Sequence, residues 1–187
     1  MKIPLRRYRK ILLGKIRAIR QPCLPWDTTI RTPFRIDGGS DLNIGRSVVF
    51  QSGVWLFCGQ VNGVPGKIRI GDNCSFGYRN HITCLGEVTI GDNVLTANNV
   101  YISDNSHSYE KIDVPIMHQE VTFSRKVEIG SGSWIGENVS IIGASVGKNS
   151  VIGANSVVTS DIPDYSVAVG IPAKVIRKYN QVKNQWE

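Results

Sequence analysis

Three histidines, His81, His107 and His118, and four cysteines, Cys23, Cys58, Cys74 and Cys84, are the residues of this 187-residue chain best suited to proton transfer or metal binding. The cysteines form no Cys-x-x-Cys pair. With no secretory signal in view they are expected to be reduced structural thiols, not a zinc site or a disulfide framework. The histidines are isolated, with gaps of 26 and 11 residues. His107 closes the string Ile102-Ser103-Asp104-Asn105-Ser106-His107, in which Asp104 is close enough in sequence to orient the ring, a backbone carbonyl being the alternative partner. What an imidazole can do there depends on the element that carries it.

That element is a repeat. Ile70-Gly71-Asp72-Asn73-Cys74, Ile90-Gly91-Asp92-Asn93-Val94, Ile135-Gly136-Glu137-Asn138-Val139, Val146-Gly147-Lys148-Asn149-Ser150 and Ile152-Gly153-Ala154-Asn155-Ser156 are copies of one motif, and Ile44-Gly45-Arg46-Ser47-Val48 is an earlier one. Starts recur every six residues at 70, 76, 82, then 90, 96, 102, then 129, 135, 141, then 146, 152, 158. Of the 13 starts only Thr96 is not a large apolar residue, and glycine follows at eight. A period of six fits neither a 3.6-residue helix nor plain strand alternation. It fits a short strand, a turn and a strand on the next face of a triangular prism. The first residue of each motif then points inward and stacks on its equivalent one coil later. Asparagine at the fourth position suits a left-handed backbone, and a small residue at the fifth keeps a second inward site narrow. Such coils bury their core only by stacking.

The repeat breaks in three places, and loops on a rigid scaffold are where sites are carried. Residues 53–67 interrupt the first coils, and two extra residues fall between 82 and 90. The largest insertion, about 106–126, reads SHSYEKIDVPIMHQEVTFSRK. Its Tyr, Ile, Val, Met and Phe argue for an ordered protrusion. His107 stands where the chain leaves the coil.

The hexapeptide pattern over about residues 36–172 resembles the left-handed parallel β-helix family. The junction string ending in His107, Trp134-Ile135-Gly136, Ile152 to Ser160 and Val169 to Lys178 together resemble its O-acetyltransferases, of the galactoside, maltose and capsular-polysaccharide type. The resemblance implies a mainly β fold with residues 27–172 as the catalytic rod. It also implies acetyl-CoA as co-substrate, no metal, a homotrimer and a sugar or lipid-linked saccharide as acceptor; a cytoplasmic location is expected from the cysteines and the lack of a signal-like segment. It makes His107 the general base, which takes a proton from a sugar hydroxyl as the oxygen attacks the thioester. A backbone N–H of an adjacent coil would stabilise the oxyanion. Trp134, Ala154 and Thr159 are implied contacts of the coenzyme. Lys174, Arg177 and Lys178 would meet its phosphates, and Tyr78 and Asn80 the acceptor. Residues 173–187 are expected to form a short C-terminal helix or tail.

Other classes compete. Amino-sugar and xenobiotic acetyltransferases share the fold and the histidine. The γ-type carbonic anhydrases share the fold and bind zinc through three histidines, but they pair two ligands five residues apart, unlike His81, His107 and His118. A non-catalytic scaffold would have no use for His107.

The net charge of +7 suggests nucleic acid until it is resolved along the chain. Residues 1–26 hold eight basic and no acidic side chains, while the other 161 residues hold 14 basic and 15 acidic. The body is therefore neutral, which argues against a nucleic-acid groove. Leu5, Tyr8, Leu12, Ile16 and Ile19 recur at spacings of three and four, so an N-terminal helix is expected over this segment. It would lie on an anionic leaflet or pack on the trimer. No apolar run of 18 residues suggests a spanning helix.

Overall fold

The computed structural model describes residues 24–38 and 41–187. The expected N-terminal helix lies outside the described residues, apart from the last few positions of the 1–26 segment. The rest winds into a left-handed parallel β-helix, a three-sided rod of stacked coils. Among the described residues, the first face carries nine strands, the second six and the third four.

The period-six starts become three inward columns. Ile44, Ile70, Ile90 and Ile129 stand in register on the third face. Leu56, Ile82, Ile102, Ile141 and Val158 do so on the second. Ile30, Phe50, Phe76, Thr96, Ile135, Ile152 and Ala168 do so on the first. These side chains are buried throughout and form one continuous core. Phe34, Phe50 and Phe76 stack at its lower end with centroids 5.0 Å apart. Thr96, the polar exception, is buried too, and its hydroxyl accepts a hydrogen bond from the Asn80 amide.

Turns follow the fourth-position rule. Asn73, Asn93, Asn99, Asn138, Asn149 and Asn155 all have φ between 48° and 59°, as do Ser47 and Arg79 at the equivalent place in their coils. Asparagine tolerates this region because its short amide bonds locally. Several of these amides also link coil to coil: Asn99 Nδ2 donates to Asn138, and Asn138 Nδ2 to Asn155. Asn105, at the fourth position of its motif, is the exception; the chain there extends into a strand and leaves the rod.

The expected C-terminal helix is not present. Ala173–Asn180 forms an eight-residue strand antiparallel to Ser166–Gly170 of the last coil, and Gln185–Trp186 pairs back onto it. The last coil ends in an open strand edge, and a returning strand satisfies the N–H and C=O groups that a helix would leave bare. β-Branched Val175 and Ile176 suit it, and the Tyr179 ring meets Trp186 at 5.4 Å.

Candidate active site

All three breaks of the repeat fall at or lead into one corner of the prism, between the second and third faces. The lowest of the three breaks is a small hairpin, Gln60–Val61 against Val64–Pro65. The next coil takes the corner with its two extra residues between Cys84 and Glu87. Above it the long insertion leaves as a two-stranded arm, Asn105–His107 against Val121–Phe123, tipped by a 3₁₀ turn at Ile116–His118. Within the tip, the Gln119 amide donates to the Lys111 and Val114 carbonyls, and so the protrusion is ordered.

The arm's register decides where His107 points. Asn105 lies opposite Phe123 and His107 opposite Val121, so these four side chains share one face of the ribbon. On that face the Asn105 amide reaches Thr83 of the coil below, at 3.3 Å. Phe123 lies over Gly86, where an added Cβ would sit 2.2 Å from its ring. His107 therefore stands on the side of the arm turned toward the preceding coil, exposed at the end of its strand. Beneath the arm runs an open cleft of about 320 Å³. Val64, Pro65, Gly86 and Phe123 line it together with the charged Lys67, Glu87 and Lys126. Lys126 bonds Glu87 at 2.9 Å; the ammonium holds the Glu87 carboxyl below its usual range, and the carboxylate raises Lys126 in return. Both groups are solvated, so the pair tunes rim charge more than stability.

Asp104 does not orient His107 as expected. It is fully buried and turned into the rod. One oxygen accepts the Leu85 N–H at 2.8 Å and the Asn105 amide at 2.9 Å; the other accepts the Gly86 N–H at 2.7 Å. The Cys84 thiol lies 3.4 Å from the second oxygen. With both oxygens engaged below the arm, the carboxylate is spent on backbone.

Asn80 is also withdrawn. It is 1% exposed, its Oδ1 takes the Val100 N–H at 2.8 Å and its amide donates to Thr96, so it is a core residue and not an acceptor contact. Tyr78 is exposed at the turn one coil below the arm. Cys58, Cys74 and Cys84 are buried free thiols, as expected of structural cysteines.

The residues expected at the coenzyme lie across the rod. Trp134, half exposed, projects from the first face in register with Leu95, Val151, Val167 and finally Arg177. A β-bulge shifts the register of the last pair of strands, so that Arg177 opposes Val167 and Lys174 opposes Val169. Both basic residues thereby join the outward face that carries Trp134. Lys178 opposes inward-facing Ser166 and lies on the other side. Ala154 is exposed at the turn from the first face to the second, and Thr159 at the end of the second. The corner that carries His107 is the one opposite the first face. Within one chain, His107 and the Trp134–Arg177 row look in different directions.

The three histidines are not gathered into a ligand set. His81 is on the second face, its ring stacked on Trp55 at 4.1 Å and 3°, with Arg35 over the far side of Trp55 and Tyr101 on its own far side. Burial pushes its pKa down. His118 is in the arm's exposed tip. Among the described residues no group of three or more His, Cys, Asp or Glu side chains is placed to hold a metal ion.

Thr83, Gly86, Asn105 and Phe123 belong to this corner without standing out in the repeat pattern. The signal was there in the two extra residues between 82 and 90, but nothing said which side chains would close over them.

Comparison with known proteins agrees with the geometry. The family described as hexapeptide repeat of succinyl-transferase matches residues 67–104 and 126–160. WbbJ of Escherichia coli K12, which bears the name of a lipopolysaccharide biosynthesis O-acetyl transferase, is 36% identical over 165 residues, covering 84% of this chain and 82% of that protein. The galactoside O-acetyltransferase of the same organism is 42% identical over 119 residues, 61% of this chain and 55% of its own length. Among solved structures, AntD, an N-acyltransferase from Bacillus cereus, superposes with a TM-score of 0.69 at 17% identity, over 84% of this chain and 82% of that one, which shows the shared fold. The chain belongs to the hexapeptide-repeat acetyltransferase family.

Proposed function

We propose that this chain transfers the acetyl group of acetyl-CoA to a sugar hydroxyl in surface-polysaccharide biosynthesis, with His107 as general base. The observation that carries this is the exposed imidazole on the arm face that Asn105 and Phe123 turn toward the preceding coil. The family membership and the O-acetyltransferase names of WbbJ and the galactoside enzyme support it. His107 accepts the hydroxyl proton as the sugar oxygen forms its bond to the thioester carbonyl. The same imidazolium then returns that proton to the departing thiolate, so the base is restored each turnover. The thioester is already activated, and no covalent enzyme intermediate is needed.

Because His107 and the Trp134, Lys174 and Arg177 surface look away from each other within a chain, a complete site joins the arm of one copy to the first face of another. A closed trimer supplies three such sites by symmetry. The coenzyme's pantetheine and adenine lie along the Trp134 row and the Ala154 and Thr159 turns, and Lys174 and Arg177 meet its phosphates. The catalytic unit is residues 27–172, with 173–187 as its tail. Among the described residues no helix is long and apolar enough to cross a membrane. The eight basic residues of 1–26, tripled in a trimer, hold the enzyme at an anionic leaflet where a lipid-linked acceptor resides. Deleting residues 1–20 is expected to abolish cosedimentation with anionic vesicles and leave activity on a soluble acceptor intact; unchanged sedimentation would assign that segment to packing.

The reading is tested by thiol release from acetyl-CoA across sugars, glycolipids and antibiotics. Stimulation by a saccharide acceptor supports it, and stimulation by antibiotics alone assigns the chain to the xenobiotic enzymes.

A further inference from the structure

The two extra residues of one coil and the long insertion of the next meet at a single buried carboxylate. Asp104 projects down from the coil that bears the arm and binds both backbone N–H groups of the irregular corner, Leu85 and Gly86, in the coil beneath. Its own carbonyl accepts the Ser124 N–H at 2.8 Å, which closes the root of the arm. Asn105 bridges Asp104 and Thr83, and the Ser103 hydroxyl bonds the Asn105 main chain. Phe123, directly across the ribbon from Asn105, rests on Gly86. The arm is thus attached to the rod at two points on one short stretch of chain: a carboxylate gripping Leu85 and Gly86, and a ring seated on Gly86. His107 is two residues beyond Asn105 on the same ribbon face.

We propose that Asp104 is a positioning residue: it acts on His107 through the Leu85–Gly86 corner and the Phe123 seat, fixing the direction in which the arm leaves the rod and hence where the base stands. The irregular corner exists to present two N–H groups and a bare Cα surface to the arm. A regular turn of this rod gives one N–H to the carboxylate of the next coil, as Asp72 does to Asp92 and Lys148 to Asp164, whereas this corner gives two to Asp104. A positional error of about 1 Å in a catalytic group can cost on the order of a hundredfold in rate, which makes such a clamp worth a buried carboxylate.

The inference rests on His107 being the base, and its test separates the two claims. In the isosteric variant Asp104→Asn, one acceptor oxygen becomes an NH₂ that cannot accept from Leu85 or Gly86. Gly86→Ala leaves Asp104 intact and removes the seat of Phe123 instead. Each is expected to lower kcat about 10- to 100-fold with the KM for acetyl-CoA unchanged. Each should also leave the pH midpoint of activity in place, because neither residue touches the imidazole. Since both act on one device, the double variant is expected to be no slower than the worse single. Hydrogen exchange should quicken at the Ser108 and Ser124 amides, which bond Glu120 and Asp104 within the arm, and stay slow in the rod strands. Unchanged kcat and arm exchange in Asp104→Asn, a moved pH midpoint, or fully multiplicative losses would overturn the clamp. If His107→Ala keeps full turnover, the base assignment fails and the exchange result alone decides the clamp: quickened arm amides uphold it and unchanged ones reject it.

Discussion

His107→Ala is expected to lower the turnover of acetyl-CoA and acceptor by about 10²- to 10⁴-fold, the usual loss when a general base is removed. The fold should survive this change. His107 sits at the exposed end of an arm strand, and its main chain, not its ring, holds the ribbon together. The melting temperature of the variant should therefore match the wild type, and acetyl-CoA should still bind, since the coenzyme contacts proposed along the Trp134 row do not include the imidazole. His107→Asn, which keeps a polar side chain of similar reach but accepts no proton, should be equally slow. Steady-state kinetics with circular-dichroism melts on the same samples check both halves. A variant that is stable and retains more than about half its turnover would remove His107 from the chemistry.

The second large effect is on stability. Phe76 is fully buried and stacks on Phe50 at 5.0 Å and 17° in the first-face column. Coils above and below hold their spacing through the backbone ladder, so the rod cannot close over a missing ring. Phe76→Ala should cost about 3–5 kcal/mol. In a chain of this size that corresponds to a drop on the order of 10 °C in melting temperature. Phe76→Leu, which keeps most of the volume, should lose far less. Thermal melts of the two variants decide it; an equal, small loss in both would mean the column tolerates collapse and is not the rigid stack described.

How much of this was legible in the sequence varied with the distance over which each feature is determined. The prism was legible because its rule is local: an apolar residue, a glycine and an asparagine at fixed places in six residues predict the inward columns and the left-handed turns, and Asn73, Asn93 and Asn138 obey. Asn80 shows the rule being set aside at a cost. It occupies the fifth, inward position of the motif that starts at Phe76, so the pattern itself implies a core residue, against the acceptor contact expected from its place one coil before His107. The C-terminal strand was not legible, because Ala173–Asn180 is extended only through pairing with the open edge of the last coil, a tertiary demand that overrides local propensity. The role of Asp104 was half legible. Its nearness to His107 in sequence suggested a direct bond, whereas its partners Leu85 and Gly86 lie 18–19 residues earlier and one coil below. Stacking brings together residues about one coil length apart, and an irregular corner shifts that count in a way the repeat does not announce. The bulge that turns Lys174 and Arg177 to one side, and leaves Lys178 on the other, is likewise a property of paired strands.

The proposed reaction makes a sugar ester with His107 as base. The most direct measurement uses acetyl-CoA with a ¹³C-labelled acetyl group, a saccharide acceptor that stimulates thiol release, and the purified protein with and without His107→Ala. The expected result is label on the saccharide in a bond that mild alkali cleaves, an ester and not an amide, with label incorporation falling about 10²- to 10⁴-fold in the variant. Label held in an alkali-stable amide, or undiminished ester formation by the variant, would contradict it.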